Sequence, residues 1–232
     1  MLAKSMIDSG MVDRAIVGAV EVSLEPGALM AWRALRVLSN EPMIPFSNIR
    51  SGINLAEGAA FMLIESDNSA NDWAKPSNRI IAAHASTGGW HLTRPDVDKM
   101  ADLMKKACEI ANHPLSDISH LNSHGTGTVA NNECESTAIM SVFESEETFP
   151  EISATKTYHG HMLAASAAVE TVLLLHMIRN NMKIPIINTT SNGNSFFPRP
   201  PLRQTDNSRL LMKTAYGFGG TNGCLILQMD DT

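Results

Sequence analysis

The sequence is short of the features that mark several large protein classes, and each shortage excludes something. It holds only three cysteines, Cys108, Cys134 and Cys224. An odd number without metal-ligand spacing gives neither a disulfide framework nor a zinc site, and it fits a reducing, cytoplasmic setting. There is no basic run; the net charge is −6 and the pI about 5.7. That balance lacks the electrostatic footprint of a nucleic-acid binder. No apolar stretch reaches the roughly 18 residues that a membrane helix needs. The longest, "MLAASAAVETVLLLHMI", is broken by Glu170 and His176. The opening "MLAKSMIDSG" lacks the charged-then-apolar layout of a signal peptide. Short-period repeats and low-complexity tracts are absent as well.

What is present is enough for a buried core. A chain of 232 residues with 44% hydrophobic content makes one large domain or two small ones. Met1, Leu2, Met6 and Ile7 sit at helical spacing, and Gly10 offers a stop. "RAIVGAVEV" reads as a strand, residues 52–65 as two strands meeting at Glu57-Gly58, and "NRIIAAHAS" as another strand. "PDVDKMADLMKKACEIAN" places Val97, Met100, Leu103, Met104, Ala107 and Ile110 on one face of a helix opened by Pro95. Its methionines are adaptable core filling. "ISHLNS" is a strand, 132–145 a helix and "EISATK" a strand. Residues 161–180 form a helix apolar on nearly every side, and so a buried one. "LLMKTAYGF" and "TNGCLILQM" close the chain as strands around a glycine-rich turn, after a long Asn-, Ser- and Pro-rich loop over 188–208. Helices and strands taking turns imply a layered α/β fold.

Three glycine-punctuated motifs stand beside strand ends: "NSHGTGT" (122–128), "KTYHGHMLAA" (156–165) and "YGFGGTN" (216–222). In this order they are specific, and the chain resembles the β-ketoacyl-acyl-carrier-protein synthases, the condensing enzymes of the thiolase fold. "PFSNIRSGINLAEGAA" (45–60) is similar to a further stretch of that family, closest to synthases of aryl-polyene type. The resemblance covers the later part of a complete synthase. It implies an incomplete thiolase-like fold, with residues 1–66 ending the N-terminal half and 67–232 forming the C-terminal half.

The resemblance also implies roles. A condensing enzyme decarboxylates a malonyl thioester and leaves an enolate, so two imidazole N–H donors aimed at its oxygen would form an oxyanion-type site. The implied donors are His124 and His161, whereas His159 and His91 read as loop histidines. Gly125, Gly127 and Gly160 would let the backbone turn tightly. Thr126 and Thr128 match positions that hydrogen-bond the pantetheine arm. Lys156 matches a lysine expected to pair with Glu135 and hold the second histidine's loop. Phe218 matches a mobile phenylalanine gating the acyl channel, with Gly219 beside it and Asn222 in support. No resident cofactor or metal is implied, because phosphopantetheine arrives on the acyl carrier protein.

Two departures from the family accompany these matches. Asn132 stands where the family has aspartate. The nucleophilic cysteine of a full synthase would lie about two helical turns before Met1, and none of the three cysteines stands at an equivalent place. The expected partners are therefore an acyl carrier protein and either a ketosynthase chain or the missing N-terminal half. Three readings stay open: a part-enzyme whose nucleophile comes from elsewhere, a chain-length-factor-like partner that only shapes the acyl tunnel, or a decarboxylase without condensation.

Overall fold

Side-chain alternation along the strands and the 3.6-residue period of the helices sort this chain into stacked layers. The computed structural model describes residues 1–47, 52–70, 78–89, 91–144, 149–180, 182 and 209–229. The expected loop over 188–208 lies outside the described residues, as do residues 48–51 of the "PFSNIRSGINLAEGAA" stretch.

A mixed five-stranded sheet is the centre. It is built from β3 (Asn78–Thr87), β4 (Ile118–Asn122), β5 (Glu151–Ser153), β6 (Arg209–Tyr216) and β7 (Thr221–Met229) in the order β3-β7-β6-β4-β5. β4 runs parallel to β5 and β6, while β3-β7 and β6-β7 are antiparallel. On one face Leu210, Met212, Cys224 and Ile226 pack against two helices, α4 (Val97–Ala111) and α5 (Val129–Phe143). On the other, Leu211, Leu227 and Met229 pack against Leu174 of α7 (Leu163–Arg179). Full burial of each such side chain contributes about 1.5–3 kcal/mol.

Beyond α7 lies a two-stranded antiparallel ribbon of β1 (Arg14–Glu21) and β2 (Gly58–Glu65). The described layers therefore run helices, sheet, helix, ribbon. Smaller helices are α1 (Leu2–Asp8), α2 (Pro26–Ala34), α3 (Asp67–Ala70) and α6 (Lys156–His159).

Several sequence expectations change in the fold. Residues 52–65 hold one strand, not two; Ile53 and Leu55 make only isolated parallel bridges, to Leu38 and His161. The segment spreads its backbone bonds over two different partners, so no ladder forms. α4 is capped by Asp96, whose side chain accepts the Lys99 N–H, so Pro95 stands just outside it. Ile110 is 48% exposed because it sits at the rim of the stripe, in the last turn. "EISATK" leaves the sheet at Ser153, and Lys156 opens α6 instead. α7 is not buried all round: Ala164, Ala167, Val172, His176 and Arg179 form an exposed strip. α2 has no counterpart in the sequence reading, although Pro26 occupies its first turn. α1 forms as expected but buries no residue.

The outward face of the ribbon is apolar. Ile16 opposes Leu63 and Gly18 opposes Phe61, and the three large side chains are 78%, 60% and 63% exposed. Both ribbon edges lack a further strand among the described residues. Such a surface favours association. Purified alone, the chain is expected to self-associate or aggregate in analytical ultracentrifugation. Replacing Ile16, Phe61 and Leu63 together by threonine should shift it toward monomer; an unchanged distribution would locate the contact elsewhere.

Candidate active site

The first histidine motif begins where β4 ends. The Ser123 N–H and hydroxyl both donate to the Ser153 carbonyl, at 2.9 and 2.8 Å, which ties the loop to β5. The next two backbone N–H groups, of His124 and Gly125, donate to the two oxygens of Glu135 at 2.6 and 2.8 Å. Asn131 Nδ2 adds a third bond to that carboxylate at 2.7 Å. Gly125 has φ +49°, and a Cβ there would come within 2.7 Å of the Ala154 Cβ. Glycine is required at this position.

The second motif is held from the other half of the chain. His161 N–H donates to the Asn54 carbonyl at 2.7 Å, and Ala56 N–H donates to the His161 carbonyl at 3.0 Å. Gly160, at φ +77°, lets the chain pass that close; a Cβ would sit 2.7 Å from the Ala56 Cβ. Ser166 Oγ accepts the Met162 N–H and lies 2.9 Å from His161 Nδ1. The Leu163 N–H also donates to Nδ1, at 3.2 Å. With Nδ1 occupied as an acceptor, the proton of a neutral ring is assigned to Nε2.

The two rings meet edge to face with centroids 5.6 Å apart, and both border a cavity of about 610 Å³. Burial is the main cause holding both pKa values low, followed by the Lys156 ammonium; His161 is brought down to about 3 and His124 well below its usual value. Each is a neutral imidazole with one N–H at physiological pH.

Thr126, Thr128, Phe218 and Asn222 also line the cavity. Thr128 caps α5 by accepting the Asn131 N–H at 3.3 Å. Phe218 is 49% exposed and packs its ring 5.7 Å from that of Trp32. Gly219 does not line the cavity; its φ of +74° shapes the turn between β6 and β7, and its N–H donates to the Leu92 carbonyl. His91 also lines the cavity and Nδ1 of its ring accepts the N–H groups of Thr93 and Arg94, a turn-stabilising pattern. None of the three cysteines borders the cavity. Cys108 and Cys224 are buried, and burial raises the thiol pKa of Cys134 and Cys224.

The expected Lys156–Glu135 pair is corrected. Lys156 Nζ instead pairs with Glu170 Oε1 at 2.6 Å and donates to the His124 carbonyl at 2.6 Å. Its side chain thus steadies the first histidine's loop, while its carbonyl accepts the Gly160 N–H before the second histidine. The reason is that Glu135 already accepts three N–H bonds, while α7 presents Glu170 directly to α6. Glu170 Oε2 is also 2.7 Å from Lys213 Nζ. Asn132 is buried on α5 and donates to the Ser47 carbonyl at 3.4 Å. Sequence reasoning missed Asn131, Ser166, Glu170, Lys213 and Tyr216, whose ring lies 5.9 Å from that of His124. A glutamate inside an apolar helix and a lysine inside an apolar strand were the available signals. Among the described residues no cluster has metal-binding composition, and no helix is long and apolar enough to cross a membrane.

Comparison with known proteins agrees with this geometry. Residues 1–70 match the family model "Beta-ketoacyl synthase, N-terminal domain", and residues 79–190 match "Beta-ketoacyl synthase, C-terminal domain". The 3-oxoacyl-[acyl-carrier-protein] synthase 2 of Coxiella burnetii is 32% identical over 97% of this chain and 57% of its own length. Nodulation protein E of Rhizobium leguminosarum bv. trifolii is 31% identical over 96% of this chain and 56% of its own length. The solved structure of the ishigamide ketosynthase/chain length factor superposes with a TM-score of 0.86 at 26% identity, covering 98% of this chain and 57% of that one. The chain thus spans a little over half the length of the curated relatives it matches. The paired histidine loops, the thiolase-like layers and both family models lead to one assignment: the chain belongs to the β-ketoacyl synthase family.

Proposed function

We propose that this chain supplies the enolate-stabilising part of a β-ketoacyl-acyl-carrier-protein synthase in fatty-acid or polyketide assembly, with the thiolate nucleophile coming from outside residues 1–232. The observation that carries this reading is the convergence of two buried, neutral imidazoles on one cavity. Malonyl thioester enters on the phosphopantetheine arm of a carrier protein, beside Thr126 and Thr128. The bond to its carboxylate breaks and carbon dioxide leaves. The electron pair moves into the thioester as an enolate, whose oxygen accepts N–H bonds from His124 and His161. The enolate carbon then attacks the acyl thioester held by the nucleophile, forming the new carbon–carbon bond and expelling thiolate. Phe218, half exposed against Trp32, stands where an acyl chain would enter.

A second reading has its own support. No cysteine reaches the cavity, and the superposition on a ketosynthase/chain length factor covers nearly the whole chain. In that case the chain shapes a partner's acyl tunnel. In both readings the binding partners are a carrier protein and a ketosynthase chain or N-terminal half.

Two measurements separate these possibilities. Incubated with acyl-loaded carrier protein, the chain alone should show no stoichiometric acyl adduct by intact mass, because it brings no activated thiolate to the cavity. Stoichiometric acylation of Cys108, Cys134 or Cys224 at catalytic rates would overturn the nucleophile assignment. In the assembled complex, His124→Ala or His161→Ala should each lower malonyl decarboxylation on the order of a hundredfold or more. The double variant should lose little beyond the worse single one, as for groups that act together. Turnover near wild type with altered product length would favour the tunnel-shaping role.

A further inference from the structure

Beneath the two histidines lies a buried cluster with one more cation than the loop-holding network needs. Lys156 alone could pair with Glu170 and reach the His124 carbonyl. Yet Lys213 of β6, 2% exposed, also points at Glu170, with Nζ 2.7 Å from Oε2 and 2.7 Å from the Thr214 carbonyl. Its direction follows from the strand: Leu211 and Lys213 face α7, whereas Leu210, Met212 and Tyr216 face α4 and α5. Burying a second ammonium costs desolvation, and leaving it unpaired would cost more.

A charge inventory of every packed element gives that cation a purpose. β6 contributes Lys213 and α6 contributes Lys156. α7 contributes Glu170. α5 contributes Glu135: burial raises its pKa, but it accepts three N–H bonds and donates none, the pattern of an ionised carboxylate. His124, His159 and His161 are held neutral mainly by burial, and Tyr216 stays protonated. Two ammoniums and two carboxylates sum to zero. Without Lys213 the cluster carries one net negative charge directly under the site where an oxyanion would form.

We propose that Lys213 is a positioning residue that balances this charge, so that Glu170 holds Lys156 on the His124 carbonyl while both imidazoles remain neutral donors. It acts through Glu170 and Lys156 and touches no reacting atom. Its relevance to catalysis rests on the proposed decarboxylation. With Lys213 removed, both rings lose one of the cations that lower their pKa values, and each takes up a proton more readily. At His161 that proton would land on Nδ1 and displace the Leu163 N–H bond.

The test is histidine titration by nuclear magnetic resonance in the full chain with isotope-labelled histidine, beside decarboxylation assays of the assembled complex. Lys213→Met keeps the length and removes the charge. It should raise the titration of His124 or His161 by about one pH unit or more. It should also move the acid limb of the decarboxylation profile upward in pH by about the same amount, with KM and the kcat plateau near neutrality little changed. Adding Glu170→Gln restores neutrality, keeps an acceptor for Lys156, and should return the titration toward wild type. A role in packing alone predicts no such rescue. Unshifted titrations in folded Lys213→Met overturn the proposal. If that variant does not fold, the neutral double variant should; failure of both to fold overturns it equally. A shifted titration in a complex whose wild type does not decarboxylate refutes the proposed function and leaves the charge-balancing role standing.

Discussion

The constraint on which the site depends is the placement of one buried ammonium. Lys156 Nζ touches the Glu170 carboxylate and the His124 carbonyl, both at 2.6 Å. A charge this deep cannot be left without partners, so α6, α7 and the loop after β4 must arrive together. Glu135 completes the same loop from the opposite side by accepting the N–H groups of His124 and Gly125. The first histidine is thus fixed through its backbone, by a cation at its carbonyl and an anion at its amide. Its ring remains free to face the cavity.

The second histidine depends on a different part of the chain. Its backbone bonds run to residues 54–56, and α7 behind it rests on the β1–β2 ribbon. Glu21 of β1 reinforces this contact by accepting the Ala164 N–H at the start of α7. Both imidazoles lie in the segment matched by the C-terminal family model, but the backbone that holds His161 comes from the segment matched by the N-terminal one. The ribbon contributes its inner face to this joint while its outer face stays apolar and open.

The sequence made the layers legible wherever a segment had a clean period. β1, β3, α4 and β7 follow their apolar spacing because each has one wet and one dry side, or two dry ones. Residues 52–57 were misread because their hydrophobic residues serve two isolated bridges instead of a ladder. The histidine loops were recognisable by their glycines, since Gly125 and Gly160 occupy conformations and clearances that forbid a Cβ. The partner of Lys156 was not recognisable. Glu135 and Glu170 are both buried glutamates on helices, and choosing between them needs the knowledge that three N–H donors already saturate Glu135. Lys213 escaped for a related reason: in sequence it reads as a polar interruption of a strand, and only the layer order shows that its side of β6 faces Glu170.

The neutrality of the donors suits the chemistry proposed for them. A malonyl group enters carrying a carboxylate and leaves its charge on the enolate oxygen. An imidazolium in the cavity would attract that carboxylate in the ground state and resist its departure as carbon dioxide. Interactions that are equal in the ground and transition states give no acceleration. A neutral N–H donor gains most as negative charge builds on the oxygen it faces, and at His161 the bonds to Nδ1 also fix its direction. Burial, the Lys156 ammonium and the acceptor role of His161 Nδ1 all favour that neutral form. The buried lysines thus serve the histidines twice, by holding the first loop in place and by keeping protons off the rings.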